Sequence, residues 1–145
     1  MVEKRENDDF QPIRIIEVIV DEISTPINDG TRGSSLYSVP FRLSCRPPYE
    51  WEQMFIQSWN HPPTFTSRHR PGIASVIGDK VILDGTTIEE VEKYHRSTLI
   101  QAVEEANRQY QKFKKEQCEQ LLEEQKQIEA HKKNIQEEAK RLKFD

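Results

Sequence analysis

The strongest constraint on this chain is the lack of any helix breaker at its C-terminal end. Residues 86–145 contain no Gly and no Pro, yet carry 12 of the 21 Lys and Arg and 13 of the 25 Asp and Glu. The segment opens on Thr86-Thr87-Ile88-Glu89-Glu90. That is a capping-box sequence, with Thr86 and Glu89 or Thr87 and Glu90 as the reciprocal pair. On a 3.6-residue wheel one stripe collects Ile88, Val91, His95, Leu99, Ala102, Val103, Ala106, Tyr110 and Phe113. It stays in phase through Leu121, Ile128, Ile135 and Leu142, but there it is narrow and interrupted by Gln117, Glu124 and His131. One long helix is expected, packed from Thr86 to about Phe113 and solvated beyond. Sixty helical residues would extend roughly 90 Å. A compact head formed by the rest would have a radius of gyration of about 12 Å. Most of the second half is therefore expected to project from that head, unless it folds back at a turn the sequence does not mark. A helix with nothing to pack on either finds a partner or frays.

The preceding residues read as short strands and one helix. Pro12 precedes a β-branched run over residues 13–23, with Ile13, Ile15, Ile19 and Ile23 on one face and Ile16, Val18 and Val20 on the other. Apolar groups on both faces suggest a central strand. Residues 24–35 are a loop by composition, long for a hairpin connection. Tyr37, Val39, Phe41, Leu43 and Cys45 then alternate with polar residues and Pro40, giving a strand whose proline places it at an edge or on a bulge. Pro47-Pro48 starts a short helix, on which Trp51, Phe55 and Trp59 form one aromatic stripe at four-residue spacing. Asn60-His61-Pro62-Pro63 ends it. Residues 73–83 read as a hairpin turning at Gly78-Asp79, with Val76 opposite Val81 and Ala74 opposite Leu83.

The expected class is α+β: a small four-stranded, mainly antiparallel sheet in β-β-α-β-β-α order, two helices on one face, and a long C-terminal helix. The division is a flexible lead-in (1–11), a compact head (12–113) and a charged helical extension (114–145).

Composition excludes several functions. The net charge of −4 leaves no bulk basic surface for nucleic acid. No apolar run is long enough to span a membrane, and the polar, acidic start shows no secretory signal. Cys45 and Cys118 lie in dissimilar elements, so two reduced thiols in a cytoplasmic setting are the expectation. No metal or other cofactor is expected. The four histidines, His61, His69, His95 and His131, show no metal-ligand spacing. His95 lies in the apolar stripe and reads as a core or boundary residue. Cys45 alternates into a core face, and nothing marks an activating base for a nucleophile. Gly30-Thr31-Arg32-Gly33 lacks the lysine and strand–loop–helix context of a phosphate loop. No catalytic residue is identified.

Two surfaces remain. Leu121, Ile128, Ile135 and Leu142 recur every seven residues, a coiled-coil spacing. Their companions, Cys118, Gln125, Lys132 and Ala139, are poor core residues and point to a weak or heterotypic seam. The leading expectation is therefore a non-catalytic interaction or assembly protein. Its helix would bind a second copy or a heterologous helical protein. The second surface follows from topology. If the first strand runs upward, the loops 24–35 and 60–72 and the start of the long helix share one end of the head. That end gathers Arg32, His61, Arg68, His69 and Arg70 beside a helix N-terminus, a setting that suits anions. The alternative expectation is thus a small anion- or nucleic-acid-binding module that takes nucleic acid or a phosphorylated ligand.

Overall fold

The computed structural model describes residues 10–26 and 35–144. Its elements are β1 (Ile15–Val18), β2 (Tyr37–Leu43), α1 (Tyr49–Asn60), β3 (Ala74–Ile77) and β4 (Lys80–Thr86). A continuous helical run follows: α2 (Ile88–Glu90), a π-helical segment (Val91–His95) and α3 (Arg96–Arg141). The strands form one antiparallel sheet in the order β1-β2-β4-β3. The class and the element order are those expected from the sequence.

The hairpin forms because Gly78, at φ +61°, accepts the left-handed geometry of a two-residue turn. Ile77 pairs with Lys80, Val76 with Val81 and Ala74 with Leu83, the register expected. β4 then runs past Asp84 to Thr86, three residues beyond the expected end. Gly85 permits this at φ +108°, a value that side-chain-bearing residues rarely adopt.

One sheet face makes the core. Val39, Phe41 and Leu43 from β2 and Val81 and Leu83 from β4 are at most 3% exposed. Trp51, Phe55 and Trp59 of α1 lie fully buried, as the four-residue spacing requires. Leu99, Ala102, Val103 and Ala106 of α3 are also buried. The indole N–H of Trp51 donates to Asn107 Oδ1 at 2.9 Å, joining α1 to α3. Asn107 also clamps the start of the sheet: Ile13 N–H donates to its Oδ1 at 3.0 Å, and its Nδ2 donates to Ile13 O at 2.9 Å.

Several local expectations are corrected. The run 13–23 is not a long central strand. Only Ile15–Val18 is extended, at the sheet edge, and the chain turns into a 3₁₀ helix at Val20–Glu22. Ile16 is 49% and Val20 71% exposed, so the second apolar face goes uncovered. β2 is interior instead, and its irregularity falls between Tyr37 and Ser38 rather than at Pro40. Pro40 is tolerated because its carbonyl points toward β1, accepting from Ile19 N at 2.9 Å. In an antiparallel strand a residue's N and C=O face the same neighbour. The missing N–H therefore falls where β1 has already ended, and the ladder to β4 is unbroken. Cys45 is exposed, because β2 stops at Leu43 before the alternation reaches it. Ile88 is 40% exposed, so the buried stripe begins at Val91.

Gln11–Tyr110 make one compact unit, and the residues from Gln111 onward belong to a second. In that second unit α3 continues to Arg141, and every residue from Glu119 to Phe144 is exposed.

Candidate functional site

The most densely interacting polar cluster lies where residues 61–73, between α1 and β3, meet the start of the helical run. Trp59 Nε1–H donates to Arg70 O at 3.1 Å, and Gly72 N–H donates to Asn60 Oδ1 at 2.8 Å, so the loop is pinned to the end of α1. The Arg70 guanidinium then forks onto Glu90, with Nη1 to Oε1 and Nη2 to Oε2 both 2.9 Å. Nη1 also reaches Gly85 O at 3.1 Å. Thr86 Oγ1–H donates to Glu90 Oε1 at 3.1 Å. This is the planar, bidentate geometry in which arginine and carboxylate pair best. The hydrogen bond from Arg70 holds the Glu90 carboxyl below the usual glutamate range, and the same bond raises the Arg70 guanidinium.

The capping box settles on Thr87 and Glu90, since Glu90 N–H donates to Thr87 Oγ1 at 3.1 Å. The reciprocal half is given up, because the Glu90 carboxylate is engaged by Arg70 and Thr86. Tyr37 Oη accepts from Ile88 N at 2.9 Å, and Thr87 O accepts from Val91 N at 3.0 Å. These acceptors satisfy most of the donors that a bare helix N-terminus would offer an anion.

Beside this cluster two imidazoles flank one indole. The His69 and His95 ring centroids lie 4.6 and 5.5 Å from that of Trp59, and Phe65 meets the His69 ring at 5.1 Å. His95 is fully buried at the end of the π segment, where Arg96 N–H closes an i→i+5 bond to Val91 O. Such wide turns are frequent at functional positions. None of the four nitrogens of His69 and His95 has a hydrogen-bond partner among the described residues. Burial pushes the His95 pKa down; Glu90 pulls it the other way, and Arg70 and His69 add to the fall. Burial also lowers His69, against the pull of the Trp59 backbone, which stops short of hydrogen-bond geometry.

The residues singled out in the sequence are only partly united. His69 and Arg70 do come to the start of the helix, but the Arg70 fork is filled by Glu90. Arg68 is exposed. His61 is exposed and lines a cleft of about 420 Å³ with Thr98, Gln101, Glu105 and Arg108, away from the helix start. Arg32 lies outside the described residues. Glu90, Asn107 and Tyr37 were missed as organising residues. The capping-box pattern was the one signal that pointed to Glu90.

Of the seven-residue series, Leu121, Ile128 and Ile135 lie on α3 in the second unit, and Leu142 falls one residue past its end. Leu121 is 58%, Ile128 54%, Ile135 50% and Leu142 66% exposed. Of their companions Cys118 is half-buried, while Gln125, Lys132 and Ala139 are exposed. No disulfide joins Cys45 and Cys118. Among the described residues no helix is long and apolar enough to cross a membrane, and no cluster of His, Cys, Asp or Glu could hold a metal. Comparison with protein-family models, curated proteins and solved structures finds no match to this chain.

Proposed function

We propose that the protein is a non-catalytic interaction or assembly protein whose distal helix binds a second copy of the chain or another helical protein through Leu121, Ile128, Ile135 and Leu142. One observation carries the reading: these four large aliphatic side chains are half or more exposed at seven-residue steps, Leu121, Ile128 and Ile135 on one regular helix and Leu142 directly past its last residue. Covering each would gain roughly 1.5–3 kcal/mol relative to water. A lone exposed leucine needs no explanation, but four in register make a stripe that a facing helix can fill. Lys132 and Gln125 at the alternate positions keep a homotypic seam weak, since a parallel pairing in register would set each against its own copy. A cytoplasmic setting belongs to the same proposal, supported by two cysteines that are not joined to each other.

Light scattering behind size exclusion, run across protein concentration, tests it. The native chain is expected to move from monomer toward dimer as concentration rises, and the double variant Ile128→Lys/Ile135→Lys to remain monomeric. A native chain that is strictly monomeric at high concentration eliminates the homotypic form. The heterologous form then requires a partner that the native chain captures and the double variant does not.

A further inference from the structure

The distal stripe leaves His69 and His95 of the first unit, whose ring nitrogens are buried, without a role. We propose that the His69–Trp59–His95 cluster is an acid-sensitive latch: protonation of the two imidazoles releases residues 61–73 from α1 and from the start of the helical run. The inference is independent of what the distal helix binds.

Geometry carries it first. Two imidazoles press on the same indole, His95 is fully buried, and no described residue accepts or donates a hydrogen bond at any of their ring nitrogens. A neutral imidazole survives there as a polarised aromatic ring. An imidazolium would be a desolvated cation with two unpaired N–H donors. The π segment makes the second point. Its i→i+5 closure sets His95 over the turn that begins at Glu90, whereas residues five apart in a regular α-helix lie on different faces.

The surrounding charges decide the direction. Glu90 comes from the same helical run as His95, and Arg70 and His69 come from residues 61–73. α1 contributes Trp59 and β4 contributes Thr86, neither of which changes charge in this range. With the histidines neutral, Arg70 and Glu90 cancel. A proton on His95 attracts Glu90 and repels Arg70, so it competes for the carboxylate that holds the loop. A proton on His69 adds a second positive charge beside the first. Two attachments of the loop to α1, Trp59 Nε1–H to Arg70 O and Gly72 N–H to Asn60 Oδ1, lie at the same junction.

Both native pKa values lie below the ordinary histidine value of 6.5. The closed form is therefore fully favoured above about pH 6.5, and it loses stability as the pH falls from there toward the lowered native values. Two protons would change the open-to-closed ratio by up to about 100-fold per pH unit, and one proton by about tenfold.

The test is an acid titration of the full chain, with tryptophan emission, the far-ultraviolet helix signal and the ring resonances of His69 and His95 recorded together. The expected result is a red shift in emission below about pH 6.5, coincident with protonation of both rings, while the helix signal is retained. His69→Phe and His95→Phe should each reduce the steepness from two protons to one. The double replacement should hold the emission flat until the carboxylates titrate. The proposal is overturned if both rings in the native chain protonate at the ordinary histidine value with no change in emission. It is equally overturned if the helix signal collapses in the same step, or if the double variant opens as the native chain does. Should a variant fail to fold, coincidence or non-coincidence of ring protonation and emission in the native chain decides alone.

Discussion

Two stretches of α3 share one helical phase and differ in almost everything else. Between Arg96 and Tyr110, Thr98, Leu99, Ala102, Val103, Ala106 and Tyr110 are buried. Between Glu119 and Arg141 every residue is exposed, Leu121, Ile128 and Ile135 included, as is Leu142 directly beyond the helix end. Periodicity thus specifies which face of a helix is apolar, but not whether anything covers it. The early stripe is three to four residues wide per two turns, the width that suits a helix lying on a sheet. The later one is a single residue per heptad, too narrow for a sheet and suited to one edge of a helical seam. The difference assigns folding to the first stretch and leaves the second free for the recognition proposed above.

The largest expected effect lies in the buried half of this comparison. Trp51→Ala or Trp59→Ala should lower stability by about 3–5 kcal/mol, because each removes a fully buried indole together with its hydrogen bond. Thermal or denaturant melting measures it. A near-neutral result would mean that the aromatic stripe of α1 serves binding rather than packing.

A smaller effect is expected where the loop meets the helix. Glu90→Gln should cost about 1–3 kcal/mol at neutral pH, by weakening charge-assisted bonds to Arg70 and Thr86. The pH dependence has a definite sign. Arg70 depresses the Glu90 pKa below 4.5, so the carboxylate's contribution is complete above that value and is lost as pH falls through the lowered native value. The difference that Glu90→Gln makes, measured by denaturant titration at a series of pH values in chains that carry His69→Phe and His95→Phe so that the loop stays closed, should shrink below pH 4.5. A difference that persists unchanged at pH 2 would show that packing, not the ion pair, holds the junction.

Where side-chain periodicity was the signal, the sequence was legible. Trp51, Phe55 and Trp59 announced a buried helix face, and Gly78-Asp79 set the register of β3 and β4 to the residue. It failed where the answer depended on neighbours. An edge strand and a central strand rich in isoleucine look alike until the sheet order is known, so the run 13–23 was over-extended. Pro40 suggested an edge for β2, yet an interior strand can carry a proline whose nitrogen faces the frayed end of its partner. At the polar junction the sequence brought Arg70 and His69 to the right place. It could not show that Glu90 would fill the arginine fork, because two capping registers were open and only Thr87–Glu90 leaves the carboxylate within reach of Arg70. Asn107 gave no signal at all. A lone asparagine on a helix looks solvent-facing until Trp51 and Ile13 converge on it from distant parts of the chain.

The division of labour along α3 is tested most directly by ending the chain at Phe113 and comparing it with the full-length protein. Melting followed by circular dichroism and mass by light scattering should be measured on the same samples. The account predicts a cooperative transition that is retained within a few degrees, together with complete loss of concentration-dependent association. Loss of the cooperative transition would contradict it, by showing that the distal helix belongs to the folding core. So would association that survives the truncation, since the interacting surface would then lie within the first unit.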